Sequence, residues 1–571
     1  MRSRNTAALG VIPLFAILLA AATPGAPIPS PAPRVVLPLL PTVAGGYHAP
    51  KVLPSPGRLV GIAQQPFVGI TLQSAIAMAL LKNPNLAIAA SNTRIASYQI
   101  QEAKGAFDVR FMVEPSVKHD LQAPQNAFFS GPAFGAIVQN TQSLQGGVNG
   151  ELPGGQQYSV GISQSKIDDN TIINSFNPYY ATSFNVALTQ PLLKNFGINA
   201  PKRNLELSIL SADASQAQAL VGVSSTIASV EDTYWNLVNA WRAVAIDEAA
   251  LRQATLQQAS NVRLAKRGAA APIDAVESST QVSAYQQAVF EGLQQVTIEQ
   301  NTLKALVLAD PADPIWRANL VPSSSVLHLP RVPSYGQLLA LALKNRPEVR
   351  QVADAAAQAA VNVKYAKNQT LPQADLQLQY QSNGLAGTAV PPISGSPFGS
   401  ATPPPYLVGG LGQSYNNLTA GKFPTYSVGV AISLPLGNNT ARGALAVARE
   451  QALQAKLQGA NIRERIVFDV RNALQAYQTA LASLSAARQA RESAAQVYSS
   501  EQRKFHSGAS TTFLVLQRQV ELVQAQGREL RAQTALNQAV VELQRVDGSI
   551  LRVNNVQLGN VGTQALNLAT P

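Results

Sequence analysis

The side chains able to do chemistry are few and far apart. The four histidines, His48, His119, His328 and His506, are isolated from one another. No HExxH helix, no Gly-x-Ser-x-Gly elbow and no phosphate-binding loop can be read in the chain. Cysteine is absent, which removes disulfides and thiolate metal sites. Acid pairs such as Asp247-Glu248 read as solvated helix faces. These residues suggest no catalytic centre, no metal and no cofactor. Two glycine turns stand out instead, Arg267-Gly268-Ala269-Ala270 and Ser507-Gly508-Ala509-Ser510, each closing a very long helical stretch. Glycine permits the tight reversal, and small neighbours leave backbone groups open to a partner; the other reading is that the glycines only cap their helices.

The elements around these turns occur twice. Ala79-Leu80-Leu81-Lys82-Asn83-Pro84 is echoed by Ala342-Leu343-Lys344-Asn345-Arg346-Pro347, and Val230 by Val470. A unit this long is a whole supersecondary assembly rather than a solenoid repeat. Each copy reads as a short helix interrupted by proline, then strands, a very long helix, the glycine turn and a returning helix. The short helices span about Leu72 to Lys104 and Tyr335 to Lys367, with the prolines breaking them. Between copies the spacing shrinks, so the first carries 23 extra residues between Pro84 and Val230.

Strand periodicity follows each helix. Val109, Phe111, Val113 and Val117 alternate with polar residues, as do Tyr158 to Ile162, Phe184 to Leu188, Ala374 to Tyr380 and Tyr426 to Leu434. Runs near ten residues with one apolar and one polar or small face suit tilted membrane strands lining a wet lumen. The Gly/Pro/Ser/Asn-rich stretches Leu121 to Gln142 and Ser382 to Phe423 read as loops. Helices run from Ala200 to Arg267 and from Thr440 to His506 without an interior proline after Pro201. Ile227, Val230, Tyr234, Leu237, Trp241 and Val244 follow a 3-4 spacing, a coiled-coil seam.

Composition limits the alternatives. The 571 residues carry a net charge of +12, but only 13% are charged, and Lys and Arg form no dense run, which argues against nucleic acid. The basic start and the apolar run Ala7 to Ala22 form a secretory signal pattern over residues 1–22. Residues 23–66 are proline-rich and read as a linker. The expected organisation is a first repeat over 67–308, a linker over 309–333, a second repeat over 334–549 and a tail over 550–571.

In order and spacing, the Asn-Pro helix, the strand-ending Gln190-Pro191-Leu192 phrase and the paired glycine turns resemble the TolC-like outer-membrane efflux protein family from about Phe67 to Leu551. The resemblance implies an α+β membrane protein. It would be a homotrimer whose outer-membrane β-barrel continues into a periplasmic α-helical coiled-coil barrel, with an adaptor protein and an inner-membrane pump as partners. The expected function is a passive exit duct for efflux or type I secretion. Two other readings are a secreted coiled-coil structural protein or adhesin, and a periplasmic adaptor. The resemblance makes the tips Arg267, Gly268, Ala269, Ser507, Gly508, Ala509 and Ser510 the adaptor contacts. It places the periplasmic aperture at Leu514 and Gln517, with Asp274 and Glu277 close by. Acids that ring the family's aperture are replaced by Leu514 and Gln517, and an expected arginine by Ser510. Asp274 retains an acid; alternatively it only favours the helix start after Pro272.

Two strands per copy give four per chain and about twelve per trimer. The extra residues of the first copy suggest a further hairpin over Ser143 to Lys166, turning at Pro153-Gly154-Gly155. The preferred expectation sets it above a twelve-stranded barrel; the other places both strands in the barrel wall.

Overall fold

The computed structural model describes residues 66–123, 136–171, 174–323, 333–391, 402–557 and 567–568. All lie in one compact unit, Leu53–Pro571. The expected signal over 1–22, nearly all of the linker over 23–66 and most of the tail over 550–571 fall outside the described residues.

A short strand β1 (Phe67–Ile70) leads into α1 (Leu72–Lys82) and α2 (Pro84–Lys104). The break between them has a local cause. Pro84 cannot donate within a helix, and the Asn83 side chain caps the new one, its Oδ1 accepting from the Asn85 N–H at 2.9 Å. Asn83 Nδ2 also donates to the Leu306 carbonyl at 2.8 Å, tying the break to the core. Four strands follow, β2 (Arg110–Gln122), β3 (Ile137–Glu151), β4 (Gln157–Asp169) and β5 (Phe176–Pro191). Next come the long helices α3 (Ala200–Lys266) and α4 (Pro272–Val307), then β6 (Asn319–Pro322). The second half runs α5 (Tyr335–Asn345), α6 (Pro347–Gln369), β7 (Gln373–Ala389), α7 (Leu411–Thr419), β8 (Phe423–Ser433), α8 (Asn439–His506), α9 (Thr512–Val546) and α10 (Ile550–Val553). At the second proline break Arg346 replaces asparagine. Its buried guanidinium meets Glu348 at 2.9 Å and Asp469 of α8 at 2.8 Å.

At 1.5 Å per residue, the 67 residues of α3 and the 68 of α8 each span about 100 Å. The helices form a row: α4 packs on α3, α3 on α9, and α9 on α8, with α2 and α6 laid along α3 and α6 also along α8. Two cores result. One joins Ile76 and Leu80 of α1 to Val230, Tyr234 and Leu237 of α3 and Leu303 of α4. The other joins Leu338 and Ala342 of α5 to Ile466, Val470 and Tyr477 of α8 and Leu536 of α9.

The 3-4 seam of α3 is buried, apart from the half-buried Trp241, but it packs on more than helices. Tyr234 Oη donates to the Ile70 carbonyl at 3.3 Å, and Trp241 Nε1 to the Leu320 carbonyl at 2.8 Å. These carbonyls belong to β1 and β6, which pair in parallel. Residues 309–333 therefore contain a strand and are more than a linker.

The strands form one six-stranded antiparallel sheet in the order β2-β3-β4-β5-β7-β8. The expected four strands per chain are corrected to six, and the hairpin does not stand above the sheet. β4 pairs with β3 over its whole length, from Gln139/Asp169 to Glu151/Gln157, and the two strands separate β2 from β5. Their turn is anchored on the helical side of the sheet. The Gly197 N–H donates to the Gly154 carbonyl at 3.3 Å, and Asn199 Nδ2 to Glu151 Oε1 at 2.6 Å. Gly155 has φ +94, and any Cβ there would meet the Asn195 carbonyl oxygen at 2.5 Å, so the turn requires glycine on both counts. The two loop readings shorten as well. β2 continues to Gln122 and β3 begins at Ile137, while β7 continues to Ala389. Within the second stretch α7 folds back on the sheet, Ser414 Oγ lying 2.9 Å from Thr182 Oγ1 and Tyr415 Oη donating to Gln164 at 2.7 Å.

Register sorts the sheet into two faces. In one row Phe111, Val148, Val160, Val186, Tyr380 and Tyr426 are cross-strand neighbours. In the next row toward the helices Tyr158, Leu188, Leu378 and Val428 follow. On the opposite face stand Met112, Gly147, Gly161, Asn185, Gln381 and Thr425. The apolar face is open along β8 in the single chain, where Tyr426, Val428 and Ile432 are 73%, 76% and 73% exposed, while α7 covers the same face farther from the helices, at Thr182 and Ser382. Such a continuous band matches the lipid-facing belt of a membrane strand array. Among the described residues no helix is long and apolar enough to cross a membrane.

Within the first core one buried group stores a pH dependence. Glu231 of α3 is 3% exposed and accepts from Asn554 Nδ2 at 2.8 Å. Burial pushes its carboxyl from its ordinary 4.5 up to about 7; the Asn554 hydrogen bond opposes this and neighbouring Asp232 adds to it. The folded chain thus holds a proton that the unfolded chain has released, and stability falls as pH rises from about 4.5 to about 7 and stays reduced above. Glu231→Gln keeps an acceptor for Asn554 and removes the charge. It is expected to raise stability at pH 8 by on the order of 1–3 kcal/mol and to leave it nearly unchanged at pH 4. Thermal unfolding at both pH values checks this, and a less stable variant at pH 8 would refute it.

Candidate functional site

Both glycine turns have the same backbone. After α3 the Gly268 N–H donates to the Ala265 carbonyl (3.0 Å) and the Ala269 N–H to the Leu264 carbonyl (2.9 Å). After α8 the Gly508 N–H donates to Phe505 (3.0 Å) and the Ala509 N–H to Lys504 (2.8 Å). These are Schellman closures, which place the glycine in the left-handed region; φ is +73 at Gly268 and +76 at Gly508. A Cβ at either position meets nothing within 4 Å, so conformation, not space, selects glycine. Arg267, Gly268, Ala269, Ser507, Gly508 and Ala509 are exposed, and Ser510 is half-buried.

The returning helices start differently. In α4 Pro272 takes the first turn, and Asp274 Oδ2 accepts from the Ala271 N–H at 3.2 Å. Asp274 therefore acts as a cap on its own helix, the plainer of its two readings. In α9 Thr511 Oγ1 accepts from the Leu514 N–H at 3.4 Å. Six residues past each glycine stand Asp274 and Leu514, both half-buried; nine residues past stand Glu277, half-buried, and Gln517, exposed. Gln517 Nε2 donates to Glu521 at 3.4 Å. Each pair thus lies within the first two turns behind its own tip.

The second tip holds a charge network that motif reading missed. Ser510 Oγ donates to Glu501 Oε1 at 2.5 Å, and Lys504 Nζ lies 3.5 Å from Glu501 Oε2. The Ser510 hydrogen bond, helped by the nearby Lys504 and Arg518 cations, holds the Glu501 carboxyl below its usual range. Arg518 in turn grips both oxygens of Glu521, at 3.0 and 2.8 Å. Ser510, standing where an arginine was expected, ties α9 back to α8 of the same hairpin. Glu501 and Ser510 are nine residues apart across a turn, so periodicity along one helix gives no signal of their contact. Ile273 and Phe513, at matching places after the two glycines, are each 59% exposed. They were also missed, although an apolar residue among capping residues is a readable sign. Of the histidines, His48 and His328 lie outside the described residues, His119 Nδ1 is 2.6 Å from Asn140 Oδ1, and His506 is exposed at the second tip.

Comparison with known proteins fits this architecture. Residues 338–549 match the model of the outer membrane efflux protein family. Among curated proteins no sequence match was found. The outer-membrane channel OprN aligns with 89% of this chain and 99% of its own, at 16% identity and a TM-score of 0.58. The CmeC outer membrane channel of Campylobacter jejuni aligns over 90% and 94%, at 15% identity and 0.57. The outer membrane protein VceC of Vibrio cholerae aligns over 84% and 96%, at 16% identity and 0.56. Residues 338–549 thus match the outer membrane efflux protein model, and the chain as a whole has the fold of these outer-membrane channels.

Proposed function

We propose that this protein is the outer-membrane exit duct of a tripartite efflux or type I secretion system. It conducts passively, with an inner-membrane pump supplying the energy and a periplasmic adaptor joining the two. One observation carries the reading: a sheet with one apolar face runs directly into two helical hairpins about 100 Å or less in length, with strand ends on the helical side at Arg110, Pro191, Gln373 and Ser433. Such a body places its sheet in the outer membrane and its hairpin tips deep in the periplasm. It does no chemistry on its cargo.

The unit of function is a homotrimer. A six-stranded sheet cannot close on itself, since about eight strands is the practical minimum. Its two edges, β2 and β8, run in opposite directions, so β8 of one protomer can pair with β2 of the next and keep the antiparallel alternation. Three protomers then close eighteen strands. The ends of the helix row agree. Val447 and Phe468 of α8 are 57% and 53% exposed, and Ile298 of α4 is 48% exposed, which leaves apolar surface for neighbours at both ends.

The tunnel is narrowest behind the second tip, at Leu514 and Gln517, with Asp274 and Glu277 nearby. A ring of three leucines gates by size and dewetting more than by charge. Polyvalent cations in planar bilayers are therefore expected to block the pore weakly, and nanomolar-range block would contradict this aperture. The tips Arg267-Gly268-Ala269 and Ser507-Gly508-Ala509-Ser510 are the adaptor contacts. Ala269→Trp and Ala509→Trp lie at exposed positions beside the reversal, so the trimer should survive while export fails. Normal export by both variants, or loss of the trimer in both, would remove the support for tip docking.

A further inference from the structure

The inserted hairpin changes what the membrane end of the duct can pass. β3 and β4 lie inside the wall, so each protomer contributes six strands to the circumference. With strands about 4.8 Å apart and tilted about 40°, eighteen strands enclose a backbone diameter of about 35 Å, against about 24 Å for twelve. Side chains narrow both by similar amounts, and the wider ring alone leaves a lumen of porin class.

Outside β2, the middle of that wall's inward face carries no charge. Across the middle of β3, β4, β5, β7 and β8 the inward positions include Gln145, Ser163, Asn185, Gln377, Gln379 and Ser427. Inward charge stands on the edge strand β2, which carries Arg110, Glu114, Lys118 and Asp120, and at the two rims, with Glu151 and Asp375 on the helical side and Asp169 on the far side. Lys118 already meets Asp120 at 2.9 Å. The inward polar groups also satisfy one another. Ser116 and Ser143 hydroxyls lie 2.7 Å apart across strands, as do Ser163 and Ser183, and Gln381 Nε2 donates to Asn383 at 2.8 Å. A wall whose donors and acceptors are engaged offers a passing solute little to bind.

We infer that the barrel is a wide vestibule, uncharged across the middle of its wall outside β2 and adapted to bulky neutral hydrophilic cargo, with polyhydroxylated chains as the class whose chemistry matches its hydroxyl- and amide-bearing wall. This rests on the exit-duct reading. Cargo that depended on charge would find charged side chains at the rims and on β2 but none across the middle of the other five strands. A hydrated neutral chain needs only width and weak contacts.

The trimer in planar bilayers tests this with neutral polyethylene glycols and dextrans, which lower conductance only when they enter the pore. Polymers of about 10 Å radius added on the barrel side should enter, given the width above, while those added on the tip side are excluded. Potassium over chloride selectivity should stay within about twofold, because few wall charges lie in reach at physiological ionic strength. Gln379→Glu adds a ring of three carboxylates to the lumen and should make the pore clearly cation-selective. Deleting residues 137–169 joins two chain ends at the same rim and should lower the barrel-side cutoff without moving the tip-side one. The same small cutoff from both sides of the unaltered trimer, or strong selectivity before any substitution, overturns the vestibule while leaving the duct. Absence of any channel overturns the duct and the vestibule together.

Discussion

The whole architecture follows from unpaired backbone. A sheet that enters hydrocarbon cannot leave its edge N–H and C=O groups bare, because lipid offers them no partner and each costs several kcal/mol. In this chain β2 and β8 each have a strand on one side only. Their apolar residues, Val117 at 82% exposure and Val428 at 76%, bar the simpler escape of turning the sheet into water. In the trimer proposed above, the edges meet edges of other copies. Once they do, the four long helices hanging from the sheet are gathered into a ring, and their exposed apolar residues find neighbours by the same closure. On that proposal, barrel and tunnel are one consequence of a single pairing problem.

Local devices hold the two halves in a common frame. Asn83 and Arg346 occupy equivalent breaks and do equivalent work by different means. One caps with an amide and reaches a carbonyl of α4; the other pairs with carboxylates from α6 and α8. The parallel pair β1–β6 lies across α3, where Tyr234 and Trp241 donate to its carbonyls. These contacts fix where the chain leaves the first half and enters the second, and so they set how sheet and helices line up.

Much of this was legible in the sequence because it is periodic. The breaks at Pro84 and Pro347, the long helices and the glycine turns all follow from proline chemistry, a 3.6-residue period and the φ that glycine alone adopts easily. The misreadings share a cause. Four-residue strands such as Phe67–Ile70 and Asn319–Pro322 are too short to show a period. The β3–β4 hairpin is rich in glycine, serine and glutamine, so its alternation is faint and its place in the wall could not be separated from a position above it. At the tips the Glu501–Ser510 contact spans a turn. Asp274 also accepts from the Ala271 N–H at the start of α4, a local cap that the proline before it made readable.

Closure of the edges is the claim on which the rest depends, and the chain lends itself to a direct measurement because it contains no cysteine. Val113→Cys on β2 can be combined in turn with Tyr426→Cys, Val428→Cys or Val430→Cys on β8, and the outer membranes oxidised and run under non-reducing denaturing conditions. Edge pairing between protomers predicts a covalent trimer for at least one combination and only monomer for each single cysteine. Monomer throughout, with the chain present in the outer membrane, would contradict it.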